Sequence, residues 1–280
     1  MKFKMIHHVD QGTISEMYHT YAPVFILSTG RAGSKFLPEL LNLSPTIAAY
    51  HEPRPTLEYF SNYAYHHQGE AEAKILTQMI DAVRMELILD DFIKDKIYVE
   101  SNQCLTFFAP VLATLFKKSR FVHVVRHPGD FVRSGVRKGW HKNDTIWESG
   151  RLKLADEKQW AGMDQIERLS WLWNTTNQFI ENFRYMIPKE RSKFFKLEDL
   201  STDAGAANEL LCFIGGKEIP GASIKKMQTT KVNELYIGPD EPANMKKIAN
   251  FPQYTEWGEE LKEKLKKYTW ELAVSYGYLL

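Results

Sequence analysis

The chain is short of the features by which many protein classes are recognised. Its 280 residues hold two cysteines, Cys104 and Cys212. These are too few and too far apart for a disulfide framework or a CxxC metal site, so a reducing compartment is expected. No segment approaches the ~18 uninterrupted apolar residues of a membrane span, and residues 1–22 lack the apolar core of a secretory signal. The expectation is a soluble, cytoplasmic protein without membrane insertion. An excess of charge is missing too: 36 Lys and Arg stand against 35 Asp and Glu, a net +1. Nothing therefore marks a general nucleic-acid binder, and any anion site must be local. Repeats, low-complexity tracts and linkers are also absent, which favours one domain over residues 1–280.

What is present is core. Hydrophobic residues make up 44% of the chain and aromatic residues 13%, enough for a large buried interior. Val24 to Ser28 is a fully apolar run closed by Thr29 and Gly30, suited to a strand buried on both faces of a parallel sheet, and residues 34–43 then read as a helix. Ile97 to Ser101 and Phe121 to Val125 are two more β-branched runs. Between the first two runs, Leu76, Ile80, Val83 and Leu87 share one helical face within residues 70–92. Trp160 to Ile187 repeats the helical period until Pro188 stops it. Ser192 to Leu200 reads as a strand leaving into a loop. Trp257, Leu261, Leu265, Tyr268 and Leu272 mark a last helix, with Gly277 as its stop. The basic run Lys262 to Lys267 reads as a solvated face. Alternating strands and helices predict an α/β fold with three α/β/α layers and a central parallel sheet of about four or five strands.

Two of these strands break into basic loops. After the first comes TGRAGSK, where Gly30 and Gly33 permit unusual backbone angles, Ser34 offers a hydroxyl, and Arg31 and Lys35 bring charge. A loop between a buried strand and a helix is a site for phosphate. The spacing is not GxxxxGK[ST], since only Arg31 and Ala32 separate the glycines and Phe36 follows Lys35. The usual magnesium-binding hydroxyl is therefore missing, and Phe121 to Val125 ends without an acidic residue, so a transfer without metal fits better. A turn using glycine for sterics alone is the alternative. The second loop is RHPGDFVRS, in which Arg126 and Ser134 can converge on one phosphate. Here the alternative is that Asp130 caps the helix and Arg126 pairs with a carboxylate.

Together these segments resemble the sulfotransferases that use 3′-phosphoadenosine 5′-phosphosulfate (PAPS), with a P-loop NTPase-like fold. The family's PKSGT or PRSGT turn is matched by GRAGSK, with Arg31, Gly33 and Ser34 in register. Its RxPxDxxxS segment is matched by RHPGDFVRS with the spacing intact. Similarity also reaches LEDL, where Leu197 replaces a Tyr common in the family, and the closing helix with its YGY-like end. The resemblance implies that Gly30, Arg31, Ala32, Gly33, Ser34 and Lys35 hold the 5′-phosphosulfate, that Arg126 and Ser134 hold the 3′-phosphate, and that Phe36 lies against adenine. It further implies transfer of a sulfuryl group to a hydroxyl or amine, with release of adenosine 3′,5′-bisphosphate and no metal.

Such a transfer needs a base and a cation for the leaving oxygen. Arg31 is the natural cation. The EP dipeptide of AAYHEPRP sits where many carbohydrate sulfotransferases carry one, making Glu52 the first candidate base. His51 is the rival, having a suitable intrinsic pKa, and Glu100 is a third, although it could pair with Arg126 or Arg31 instead. Asn102 could orient the acceptor. The acceptor, small-molecule or carbohydrate, is expected between His51 and His67, the helix of residues 70–92 and the Trp140 to Trp160 region. Its identity and the oligomeric state stay open. The competing functions are an ATP- and magnesium-dependent kinase of the same fold and a nucleotide-binding protein without turnover.

Overall fold

The computed structural model describes residues 9–142, 148, 150–229 and 250–280. Five strands, β1 (Val24–Leu27), β2 (Ile47–His51), β3 (Ile97–Ser101), β4 (Arg120–Val125) and β5 (Ser192–Lys196), form one sheet in the order β2-β3-β1-β4-β5. Every pairing is parallel, with Val24 of β1 opposite both Val99 and Arg120.

Side-chain alternation divides the core into two. Phe25 and Leu27 of β1, Tyr98 of β3 and Phe121 and Val125 of β4 point to one face, whereas Val24, Ile26, Val99, Val122 and Val124 point to the other. The first face is covered by α1 (Gln11–Thr20), α4 (Glu70–Ile93), α5 (Ala109–Leu115), α6 (Pro128–Arg137), α8 (Gln165–Met186) and the closing helix α12 (Glu259–Ser275). The short helices α3 (Ser61–His66) and α7 (Glu157–Gly162) lie in the connections. The second face is covered by α2 (Phe36–Leu41), α9 (Leu197–Thr202), α10 (Ala204–Ile214) and α11 (Gly221–Thr229). Both faces bury apolar side chains, which is why β1 reads as an unbroken hydrophobic run and β4 as one interrupted only by the buried His123.

Several elements depart from the periodicity. Strand β2 carries the sequence IAAYH and is buried only on alternate positions, so it lacks the apolar run that marks its neighbours. On α4 the buried stripe is Leu76, Ile80, Arg84 and Ile88 rather than Val83 and Leu87. The long helix expected from Trp160 begins at Gln165, because Asp164 and Glu167 form a capping box there. The strand read from Ser192 to Leu200 ends at Lys196, and its last residues start α9 in place of a loop; Trp257 precedes the last helix rather than joining it. Gly277 has the left-handed φ of +72° suited to ending α12. Lys264 and Lys267 of that helix bridge to Asp164 and Glu167 at the start of α8, both at 2.9 Å, so part of the basic run is a clasp between helices.

Strands β1 and β4 lie side by side, and the chain leaving them goes to opposite faces, into α2 and α6 respectively. That divergence opens a crevice beyond their carboxyl ends, the place where parallel α/β sheets bind ligands. Both basic loops lie there. Among the described residues no helix is long and apolar enough to cross a membrane.

Candidate functional site

The loop after β1 is a run of left-handed backbone, with φ of +73° at Gly30, +53° at Arg31 and +76° at Gly33. Glycine is required at both its positions: a Cβ at residue 30 would fall on the Gln103 carboxamide, and one at residue 33 on a Leu197 methyl. Arg31 is the strained member, since a side chain in this region costs ~1–3 kcal/mol unless its surroundings hold it. They do so at both ends. Its Nε donates to Ser134 Oγ at 2.9 Å, and its carbonyl accepts from Arg126 Nη1 at 3.0 Å. Ala32 is buried in the core and tethers the loop from below.

The loop after β4 is fixed just as firmly. His127 is the cap of α6, its ring nitrogen accepting from the Gly129 amide at 3.2 Å. Glu198 accepts from the His127 amide at 2.8 Å and from the Tyr278 hydroxyl at 2.8 Å, which ties the LEDL segment and the chain end to this loop. Trp173 Nε1 donates to the Arg126 carbonyl at 2.9 Å. The alternative in which Asp130 caps and Arg126 meets a carboxylate is not what forms: the Arg126 guanidinium binds a carbonyl of the other loop.

Together the loops wall a cleft of about 320 Å³ lined by Arg31, Gly33, Ser34, Phe36, Arg126 and Ser134. Arg133 and Arg137 of α6, Leu197, Ser201 and Gln228 complete it. Sequence reasoning passed over Arg133 and Arg137, although their i, i+4 spacing beside Ser134 places them on one helical face. Lys35 is exposed at the start of α2 and does not line the cleft. Burial lowers the Arg31 pKa, and the charges of Arg126, Arg137 and Arg151 push the same way while Glu52 opposes them. Four guanidinium groups thus share one field, an arrangement that a polyanion stabilises.

A second cleft, of about 110 Å³, borders the end of β1 and is lined by Ser28, Thr29, Glu52, Cys104 and Arg151 among others. Glu52 also has left-handed backbone, φ +45°, held where its amide donates to the Ser101 carbonyl at 3.1 Å. Its carboxylate has no hydrogen bond among the described residues, and its charge reaches Arg31. His51 is exposed and lines neither cleft. Glu100 pairs with neither Arg126 nor Arg31; it is fully buried against Arg84, whose Nε and Nη2 reach it at 2.7 and 2.8 Å, and it also accepts from Tyr98 and Asn102. Its oxygens are occupied by structure. Asn102 is buried and caps the following 3₁₀ turn through the Cys104 amide, so it does not face the cleft as an acceptor guide. The Cys104 thiol is pushed up to about 12, by burial first and then by the Glu52 charge, and stays protonated near neutrality. Of the segments expected to form this pocket, residues 52–61 and 150–152 contribute, but α4 and the histidines at 66 and 67 do not.

The fold is shared with solved sulfotransferases. Among solved structures the chain is similar to a sulfotransferase domain from the curacin biosynthetic pathway, at 16% identity over 94% of this chain and 99% of that one, TM-score 0.53. It is also similar to a sulfotransferase domain of the Synechococcus PCC 7002 olefin synthase, at 16% identity over 93% and 97%, TM-score 0.52. A sulfotransferase from Alicyclobacillus acidocaldarius matches at 14% identity over 92% and 97%, TM-score 0.51. No family model and no curated protein sequence matches the chain.

Proposed function

We propose that this protein is a sulfotransferase that moves a sulfuryl group from PAPS to a hydroxyl or amine, within one domain. The observation that carries the reading is the stretch leaving β1: its Arg31, Gly33 and Ser34 line a cationic cleft, while its Ser28 and Thr29 line a smaller one that also holds an unengaged carboxylate, Glu52.

The first cleft suits a donor with phosphate on both sides of its ribose. In this reading Ser34 and Arg31 take the 5′ end, while Ser134 and Arg126 take the 3′ phosphate, with Arg133 and Arg137 adding charge beside them. Phe36 and Leu197 offer apolar surface to the base. On the other side, Glu52 takes the acceptor proton as the nucleophile attacks sulfur. Arg31 neutralises charge developing on the leaving phosphate oxygen, and adenosine 3′,5′-bisphosphate departs. Glu52 is favoured over His51 because it alone of the two lines the cleft beside Arg31.

Calorimetry with adenosine 3′,5′-bisphosphate, compared with ATP plus magnesium, tests the donor. Binding of the bisphosphate and not of ATP is expected. The reverse result would establish the kinase reading. Binding without turnover of labelled donor across an acceptor panel would leave a nucleotide-binding protein.

A further inference from the structure

The smaller cleft carries polar groups that the transfer chemistry leaves unused. Arg151 lies with its guanidinium 3.7 Å from the centroid of the Trp140 ring, and its Nε reaches both Glu148 oxygens at 3.0 and 2.9 Å. Stack and ion pair hold the guanidinium in one orientation. Among the described residues its two Nη groups have no hydrogen-bond partner, so their four N–H donors remain available beside Glu52.

Two acceptor-bearing side chains line the same cleft. Glu58 is set there by backbone contact: a Cβ at Gly150 would strike the Glu58 carbonyl, and the Asn62 amide donates to the Gly150 carbonyl at 2.9 Å. The Gln103 carboxamide lines the smaller cleft, lies directly on Gly30 and makes no hydrogen bond among the described residues.

Charge decides which ligand group satisfies this set. A carboxylate or phosphate would face Glu52 and Glu58, and an ammonium would face Arg151 and Arg31. A hydroxyl both donates and accepts, so it can bridge Arg151 to Glu58 or Gln103 without opposing either. An apolar acceptor would leave these groups desolvated and unpaired. At about 110 Å³ the cleft falls below the ~300–1,000 Å³ of drug-sized pockets, which suits a single small unit.

We propose that Glu58, Gln103 and Arg151 read the acceptor, and that the acceptor is a polyol, bearing at least one hydroxyl beside the one that is sulfated. This rests on the sulfotransferase reading above. Turnover with labelled donor is compared for cis-1,2-cyclohexanediol, cyclohexanol and 4-nitrophenol. The same alcohols are titrated into the bisphosphate-loaded protein. The diol should exceed cyclohexanol in kcat/KM by at least about 100-fold, since sites built to bond a hydroxyl reject the analogue lacking it by up to ~10⁴–10⁵, and Arg151→Met and Glu58→Gln should each cut that ratio to below about fivefold. Glu58→Gln keeps the side chain's size, so it stands as the folded control if Arg151→Met is unstable. Equal or better use of cyclohexanol or 4-nitrophenol overturns the inference, as does a ratio unchanged in both variants. Failure of the diol to bind or react overturns it too. If the bisphosphate itself does not bind, the donor reading falls and this inference with it; if the bisphosphate binds and the monoalcohol is preferred, this inference alone falls.

Discussion

Arg31 is the residue on which both halves of the site depend, and much of its setting was legible in the sequence. Its loop, Gly33, Ser34, Arg126 and Ser134 were all marked by glycine and basic residues after apolar runs. Arg151 and Glu58 were not, because they come from connections with no periodicity and meet only through folding. If Arg126 holds a phosphate, Arg126→Ala should weaken bisphosphate binding by ~1.5–3 kcal/mol, the worth of a charged hydrogen bond, as read by calorimetry. Glu52→Gln should leave that binding intact and abolish turnover; near-normal turnover would exclude Glu52 as the base. Asp91 offers a test away from the site. It is 2% exposed, one of its oxygens has no partner, and burial raises its pKa to about 6 despite a hydrogen bond from Tyr50. The folded state therefore favours the protonated acid, a contribution present in full below the ordinary carboxylate pKa and lost as pH rises through about 6. Asp91→Asn should be more stable than the parent by ~2 kcal/mol near pH 8, with the gap closing toward pH 4 in denaturant titrations.

At the level of elements, the sequence marked what was continuous and missed what alternated or was interrupted. Strands β1, β3 and β4 stood out because both of their faces are buried. Strand β2 hid behind small and half-exposed residues, and with it the fact that His51 and Glu52 sit at a strand end. The start of α8 was obscured by apolar residues that kept the helical period through Met163, although the D-x-x-E signature of a capping box at Asp164 was there to be read. Arg84 was hidden for a different reason: a charged residue in a buried stripe contradicts the hydrophobic pattern, and only the fold reveals Glu100 beneath it. Both side chains are 0% exposed. Arg84→Met should cost ~3–5 kcal/mol in chemical denaturation, since it strands a carboxylate in the core, and adding Glu100→Gln should recover a large part of that loss. A loss no greater than that of a surface substitution would contradict the pairing.

For the molecule as a whole, near-neutral composition conceals a strongly uneven distribution. Four guanidinium groups share one field at the carboxyl edge of the sheet, so the rest of the chain carries a slight acidic excess, since the whole is only +1. Composition reported the sum and could not report the clustering, which arises because β1 and β4 are neighbours in space though nearly a hundred residues apart in the chain. The same adjacency joins the two basic loops directly, since Arg31 gives its side chain to Ser134 and its carbonyl to Arg126. If the two loops hold the two ends of PAPS as proposed, those ends are thermodynamically linked through the protein and not only through the ligand. Adenosine 3′-phosphate, which has nothing to place in the 5′ loop, should bind severalfold more weakly to Arg31→Ala than to the parent protein. A substitution meant to slow the chemistry would then also loosen the grip on the far end of the nucleotide.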